Sequence, residues 1–154
     1  DTEGLRFITV GDGAEFQKLQ QMKQDMQLDN LDMLGQVPRE KARLYLQASD
    51  ASVVLLRNSP LFKTVIPSKV FEAMAVGNPV LLGVDGEVRS IVEEAGAGVF
   101  VEPENAQSLA GAIIDLMDSP RRVSEMGEKG QEAVRKDYDR EKLARKMLDI
   151  LKRA

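Results

Sequence analysis

Two short runs, residues 51–56 (Ala-Ser-Val-Val-Leu-Leu) and 79–84 (Pro-Val-Leu-Leu-Gly-Val), are apolar at nearly every position rather than at alternate ones. A strand with one wet face alternates. A strand without alternation needs cover on both faces, and a parallel sheet between two helical layers supplies it. The flanking segments agree. Residues 5–10 (Leu-Arg-Phe-Ile-Thr-Val), 31–34 and 98–101 read as three further strands, with apolar residues at helical spacing between them. Phe16, Leu19, Met22 and Met26 form one stripe. Leu44, Tyr45 and Ala48 form the inner face of a helix that Pro38 opens at its favoured first position. Ile91, Val92 and Ala95 mark a helix between Gly86 and Gly96. Strand and helix alternate five times with short connections. This predicts an α/β fold: a doubly wound, Rossmann-like parallel sheet of about five strands, with helices on both faces.

The rest is a helical tail with three apolar stripes. The first is Leu109, Ile113, Leu116 and Met117. Past the break at Ser119-Pro120 comes Val123, Met126, Gly127, Gly130 and Val134, and the last is Leu143, Met147, Ile150 and Leu151. Stripes of this kind ordinarily face a core. Residues 1–4 read as a lead ahead of the first strand.

Ligands of such sheets bind beyond the carboxyl ends of the strands. The Gly11-Asp12-Gly13 turn, residues 57–67 and residues 83–87 all fall there. The most informative stretch is residues 61–84, where a loop containing Pro67 runs into a helix that stops at Gly77. Ser68 is expected to be the N-cap, and the N–H groups after it form an anion site. Lys63 and Lys69 flank that site, and Glu72 lies one turn in, within reach of a ligand at the helix mouth. A phosphate-bearing molecule would meet all of them. Each residue also has an ordinary role: a cap, two solvated lysines, and a carboxylate that favours the helix dipole. Glu72 is not the glutamate of a capping box, because the position three after Ser68 is Phe71.

Composition narrows the chemistry. The chain's 154 residues suffice for one domain with a proper core. Its net charge is −4 and it has no long basic run, which disfavours nucleic acid as a partner. It contains neither cysteine nor histidine, so it carries no thiol nucleophile, disulfide, histidine base or Ser-His-Asp triad of its own. No apolar run approaches the roughly 18 residues of a membrane span, and no signal-peptide pattern opens the chain. The work left to such a chain is binding and electrostatics.

Four strings then occur in order: Val10-Gly11-Asp12-Gly13, Leu34-Gly35-Gln36-Val37-Pro38, Phe71-Glu72-Ala73-Met74-Ala75-x-Gly77-x-Pro79-Val80 and Gly98-Val99-Phe100-Val101. Over nearly the whole chain they resemble the C-terminal, donor-binding domain of GT-B glycosyltransferases of the bacterial group 1, family 4 type. The resemblance implies a nucleotide-diphosphate-sugar donor, UDP-linked, held in a cleft between two Rossmann-like domains without a metal or other cofactor. Glu72 would accept hydrogen bonds from the ribose diol. Backbone N–H groups around Pro67, Ser68 and Lys69 would face the diphosphate, with Lys63 and Gly86 nearby. Gly11, Gly35 and Val37 would lie near the nucleotide.

Many members carry a glutamate eight positions before the one matching Glu72, contacting the transferred sugar; here Thr64 stands there. The string from Leu61 to Glu72 instead is similar to the branch of N-acetyl-fucosamine transferases of O-antigen and capsule synthesis. After the next strand Gly86 is kept, while Glu87 and Ser90 replace a glycine and a glutamate of the pattern. The chain is expected to be a single donor domain, spanning 1–154, that lacks its first strand-helix unit and the N-terminal acceptor domain. That domain would be the partner of the final helix. The resemblance implies a cytoplasmic enzyme working at the inner face of the membrane, with membrane contact made by other regions, and a fragment inactive alone.

Two other readings compete. A GT-B-fold sugar-nucleotide epimerase shares the architecture, but the expected histidines are absent. A response-regulator-like signalling module needs an aspartate ending the third strand, and that strand ends Leu56-Arg57-Asn58.

Overall fold

A computed structural model describes residues 4–153; residues 1–3 of the expected lead lie outside it. The chain forms two compact units, Asp1–Ala48 and Ser49–Ala154.

The first unit holds β1 (Phe7–Thr9), α1 (Phe16–Asp25), β2 (Leu31–Met33) and α2 (Arg39–Ala48). β1 and β2 pair in parallel, with Phe7 opposite Leu31 and Thr9 opposite Met33. Arg6 Nε donates to Asp32 Oδ2 at 2.6 Å beside this ladder. That hydrogen bond holds the Asp32 carboxyl below the usual carboxylate range. The inner faces expected of the two helices are not realised. Leu19, Met22, Met26, Leu44 and Ala48 are exposed, and Tyr45 is half-buried. A ladder of three residues on two strands offers too little apolar surface to cover ten-residue helices.

The second unit holds β3 (Ser52–Leu55), α3 (Ser68–Val76), β4 (Val80–Gly83), α4 (Glu87–Ala95) and β5 (Gly98–Phe100), then α5 (Ala106–Met117), α6 (Pro120–Asp137) and α7 (Arg140–Arg153). The sheet order is β3-β4-β5, all parallel. The five expected strands are therefore present and parallel, hydrogen-bonded in groups of two and three. β4 is buried along its whole length, as its unbroken apolar run predicts. On one face Val54, Val80, Leu82 and Val84 meet Val70, Ala73 and Met74 of α3 and Val88 and Val92 of α4. On the other, Leu81 and Val101 meet Ala112 and Leu116 of α5. β3 departs from expectation: Val54 is buried, but Val53 and Leu55 remain 44% and 51% exposed.

Helix ends follow local chemistry. Gly77 and Gly96 close α3 and α4 in the left-handed conformation that glycine adopts without strain. Asn105 caps α5, its side-chain oxygen accepting the Ser108 N–H at 3.0 Å, a bond worth about 1 kcal/mol. α6 closes on α3 through Gly127 and Gly130; a Cβ at Gly127 would lie 2.1 Å from the Gly77 carbonyl oxygen. The first two tail stripes are thus covered at least in part. The third is not: every residue of α7 is exposed.

Candidate functional site

The connection from β3 to α3 leaves the carboxyl end of its strand and includes a 3-10 turn, Phe62–Thr64. Three neighbours fix it. The Asn58 N–H donates to the Glu104 carboxylate at 3.4 Å. Lys63 Nζ pairs with Asp85 Oδ2 at 3.3 Å. The Lys63 carbonyl lies against Gly86, where a Cβ would come within 2.0 Å of its oxygen. Gly86 has φ +102°, so glycine is required there both by backbone conformation and by space.

Asp85 is the hub of the next turn. The Gly86 N–H, then Lys63, hold its carboxyl below the usual range. Arg89 reaches the other oxygen at 3.6 Å, donates to Glu93 at 2.9 Å, and lies 3.8 Å over the Phe100 ring. Lys63, expected as a free cation beside a phosphate, is therefore already balanced by Asp85. Thr64 is engaged as well, its hydroxyl donating to the Leu61 carbonyl at 2.9 Å.

Replacing Gly86 by Ala should displace the Lys63 carbonyl and loosen this loop, at a cost of about 1–3 kcal/mol. Thermal unfolding measures the loss, and amide exchange at Lys63 and Thr64 locates it. An unchanged melting temperature would show that the close approach carries no constraint.

At the helix mouth the expected cap is corrected. Pro67, not Ser68, occupies the N-cap, with φ −67° and ψ 127°, and no side chain caps the helix. Proline's ring fixes a φ compatible with this extended entry, and the Pro67 carbonyl accepts the Val70 N–H at 3.1 Å. Ser68 becomes the first helical residue, and among the described residues no side chain accepts from its N–H or from that of Lys69. Anions suit such a terminus. The far side of α3 is anchored by buried Val70, Ala73 and Met74, and by Phe71, whose ring lies 4.6 Å from that of Tyr138. Burial raises the Tyr138 hydroxyl's pKa. Glu72 consequently projects outward: it is exposed, and among the described residues no hydrogen bond or ion pair engages its carboxylate.

In the first unit, Gly11 and Gly35 meet directly, the Gly11 N–H donating to the Gly35 carbonyl at 2.8 Å. A groove of about 440 Å³ beside them is lined by Asp12, Gly13, Ala14, Phe16, Gln17, Gln20 and Gly35. Val37 is not in its wall. A groove of about 520 Å³ along α6 and Lys142 is lined by charges of both signs, including Glu128, Glu132, Arg135 and Lys136.

Asp85, Arg89 and Glu104 escaped the sequence reading. The four-residue spacing of Asp85, Arg89 and Glu93 was the available signal for the first two. Glu104 reaches Asn58 across 46 residues of sequence, and no local pattern announces it.

Residues 1–133 match the family model described as glycosyl transferases group 1. A GDP-mannose-dependent monoacylated alpha-(1-6)-phosphatidylinositol monomannoside mannosyltransferase of Corynebacterium glutamicum is 27% identical over 148 residues, 95% of this chain and 38% of the relative. The putative colanic acid biosynthesis glycosyltransferase WcaL of Salmonella typhimurium is 26% identical over 152 residues, 96% of this chain and 37% of its own. The crystal structure of Anabaena Alr3699/HepE in complex with UDP-glucose superposes with a TM-score of 0.81 at 20% identity, over 97% of this chain and 41% of that one. The chain thus spans under two-fifths of the length of these two curated relatives.

Proposed function

This chain belongs to the group 1 glycosyl transferases, and we propose that it holds the nucleotide half of a nucleotide-diphosphate sugar within a longer transferase. The parent enzyme would move a hexosyl or N-acetylhexosaminyl unit in polysaccharide, O-antigen or capsule synthesis. The observation that carries the site is Glu72, a solvent-facing carboxylate without a partner among the described residues, one turn into a helix whose first N–H groups lack a side-chain cap. A carboxylate offers two acceptor oxygens to the two hydroxyls of a ribose. The N–H groups of Ser68 and Lys69, with the Lys69 charge, would meet the diphosphate. Lys63 would act from its place beside Asp85, and Gly86 by seating the loop.

The named relatives supply the context. One uses GDP-mannose, one is assigned to colanic acid synthesis, and one structure holds UDP-glucose. We take uridine as the base, on the likeness of residues 61–72 to the N-acetyl-fucosamine transferase branch. In this reading Thr64 contacts the transferred sugar where other members use a carboxylate. No metal takes part, because the helix mouth and the lysines meet the diphosphate charge. The acceptor domain of the parent chain completes the cleft, and the bare stripe of α7 returns to it. The enzyme would act at the cytoplasmic face of a membrane, through regions outside this chain. Among the described residues no helix is long and apolar enough to span one.

Half a cleft binds weakly and transfers nothing. Titrating this chain with UDP to millimolar concentration should shift backbone NMR signals of Ser68, Lys69 and Glu72, with GDP weaker and EDTA without effect. Absence of shifts in that segment would refute the site. Abolition by EDTA would refute the metal-free reading.

A further inference from the structure

The turns that follow β3 and β4 leave the carboxyl ends of paired, neighbouring strands. Four charged side chains meet across them. Asp85 pairs with Lys63 at 3.3 Å and with Arg89 at 3.6 Å, and Arg89 pairs with Glu93 at 2.9 Å. Two cations and two carboxylates cancel. Asp85 sets that balance, because both cations reach it; without its charge the cluster would be left with one net positive charge.

The loop keeps its shape without that charge. Its 3-10 turn closes on itself: the Phe62, Thr64 and Val65 N–H groups donate to the Ser59, Leu61 and Phe62 carbonyls at 3.1, 3.2 and 3.3 Å. Gly86 packs against the Lys63 carbonyl whatever charge stands beside it. Arg89 keeps Glu93 and the Phe100 ring as neighbours. A pair as exposed as Lys63 and Asp85 adds little to stability. What Asp85 does strongly is act on any ion that arrives beside Lys63. The Gly86 N–H and Lys63 hold its carboxyl below the usual range, so it is charged at neutral pH.

We infer that Asp85 separates the donor from the spent nucleotide, by repelling the extra negative charge that transfer leaves on the terminal phosphate. The inference rests on the reading in which Lys63 serves the diphosphate. In the transfer, the bond between the sugar carbon and the phosphate oxygen breaks, and that oxygen keeps the electron pair. The acceptor hydroxyl gives up its proton as its oxygen bonds the sugar. A terminal phosphate esterified to a sugar carries one negative charge; freed, it carries a second above a pKa of about 6. Lys63 and Arg89 are already balanced by Asp85 and Glu93, so the cluster offers that second charge no net attraction. Donor and spent nucleotide share the ribose and both phosphates. Charge beside the terminal phosphate is therefore a direct means of telling them apart, and release of product is the slow step of many enzymes.

UDP and UDP-glucose, each titrated at low salt and about pH 8 into this chain and its Asp85→Asn variant, test it. Between the dielectric of water and that of a protein surface, one extra unit charge about 8 Å away alters affinity about two- to thirty-fold. Asp85→Asn should therefore tighten UDP about two- to thirty-fold more than UDP-glucose, a difference that shrinks at about 0.5 M salt. Asp85→Glu keeps the charge and should keep the preference. Weaker binding of both ligands to Asp85→Asn would overturn the inference and make Asp85 a structural residue. Weaker binding of UDP-glucose alone would also overturn it, and make Asp85 a sugar contact. The donor site is scored separately. An unmodified chain that binds neither ligand sinks that site and the inference with it. One that binds both, with their ratio unmoved by Asp85→Asn, sinks the inference alone.

Discussion

Glu72→Gln is expected to weaken nucleotide binding about ten- to a hundred-fold while leaving the fold untouched. Hydrogen bonds to a charged acceptor contribute about 1.5–3 kcal/mol, and each 1.4 kcal/mol is tenfold in affinity. Glutamine keeps the size of the side chain but offers one acceptor oxygen and an amide donor. One of the two ribose hydroxyls would then lose its partner, and the remaining bond would lose its charge. Stability should stay within about 0.5 kcal/mol, the range for surface substitutions away from special features. Glu72 is exposed and engages no described neighbour, so nothing in the fold depends on its charge. Calorimetric titration with UDP measures the first effect and thermal unfolding the second. A variant that melts early and binds normally would make Glu72 a structural residue.

Met74→Ala should do the reverse, costing stability heavily and affinity only through unfolding. Met74 is fully buried in the layer between α3 and the sheet, among Val70, Val80, Leu82 and Val88. Truncating a buried methionine costs about 2–5 kcal/mol, through lost burial and the cavity left behind. For a chain of this size each kcal/mol lowers the melting temperature by about 2–4 °C, so a drop of about 4–20 °C is expected. Met74→Leu conserves volume and should cost less than about 1.5 kcal/mol. A melting temperature unchanged by Met74→Ala would place α3 off the core and remove the rigid mount of Glu72.

How much was legible follows from the range of each interaction. The glycine stops at Gly77 and Gly96 and the start of α6 at Pro120 depend on one or two residues, and all three fall where the sequence puts them. The apolar run of β4 also reads correctly, because helices of this unit cover both its faces. The same reasoning fails at β3: composition reports what a strand is suited to, while burial depends on which neighbours are present. Leu44 and the α7 stripe fail for that reason as well. The exposed position of Glu72 one turn into α3 is legible because it lies in the same helix as the residues that define the mouth. The Ser68 cap is off by one residue because Pro67 takes the turn ahead of it. Lys63 looks free in sequence, since Asp85 lies on a different loop and only the fold brings them to 3.3 Å.

The central claim, that Glu72 takes the ribose diol of a nucleotide, is tested most directly by a double-perturbation cycle. UDP and 2′-deoxy-UDP are each titrated into the unmodified chain and into Glu72→Gln. If the carboxylate and the hydroxyl are partners, removing either should weaken binding, and removing both should cost little more than removing one. Losses that simply add would mean that Glu72 and the ribose hydroxyl never meet, and would contradict the assignment.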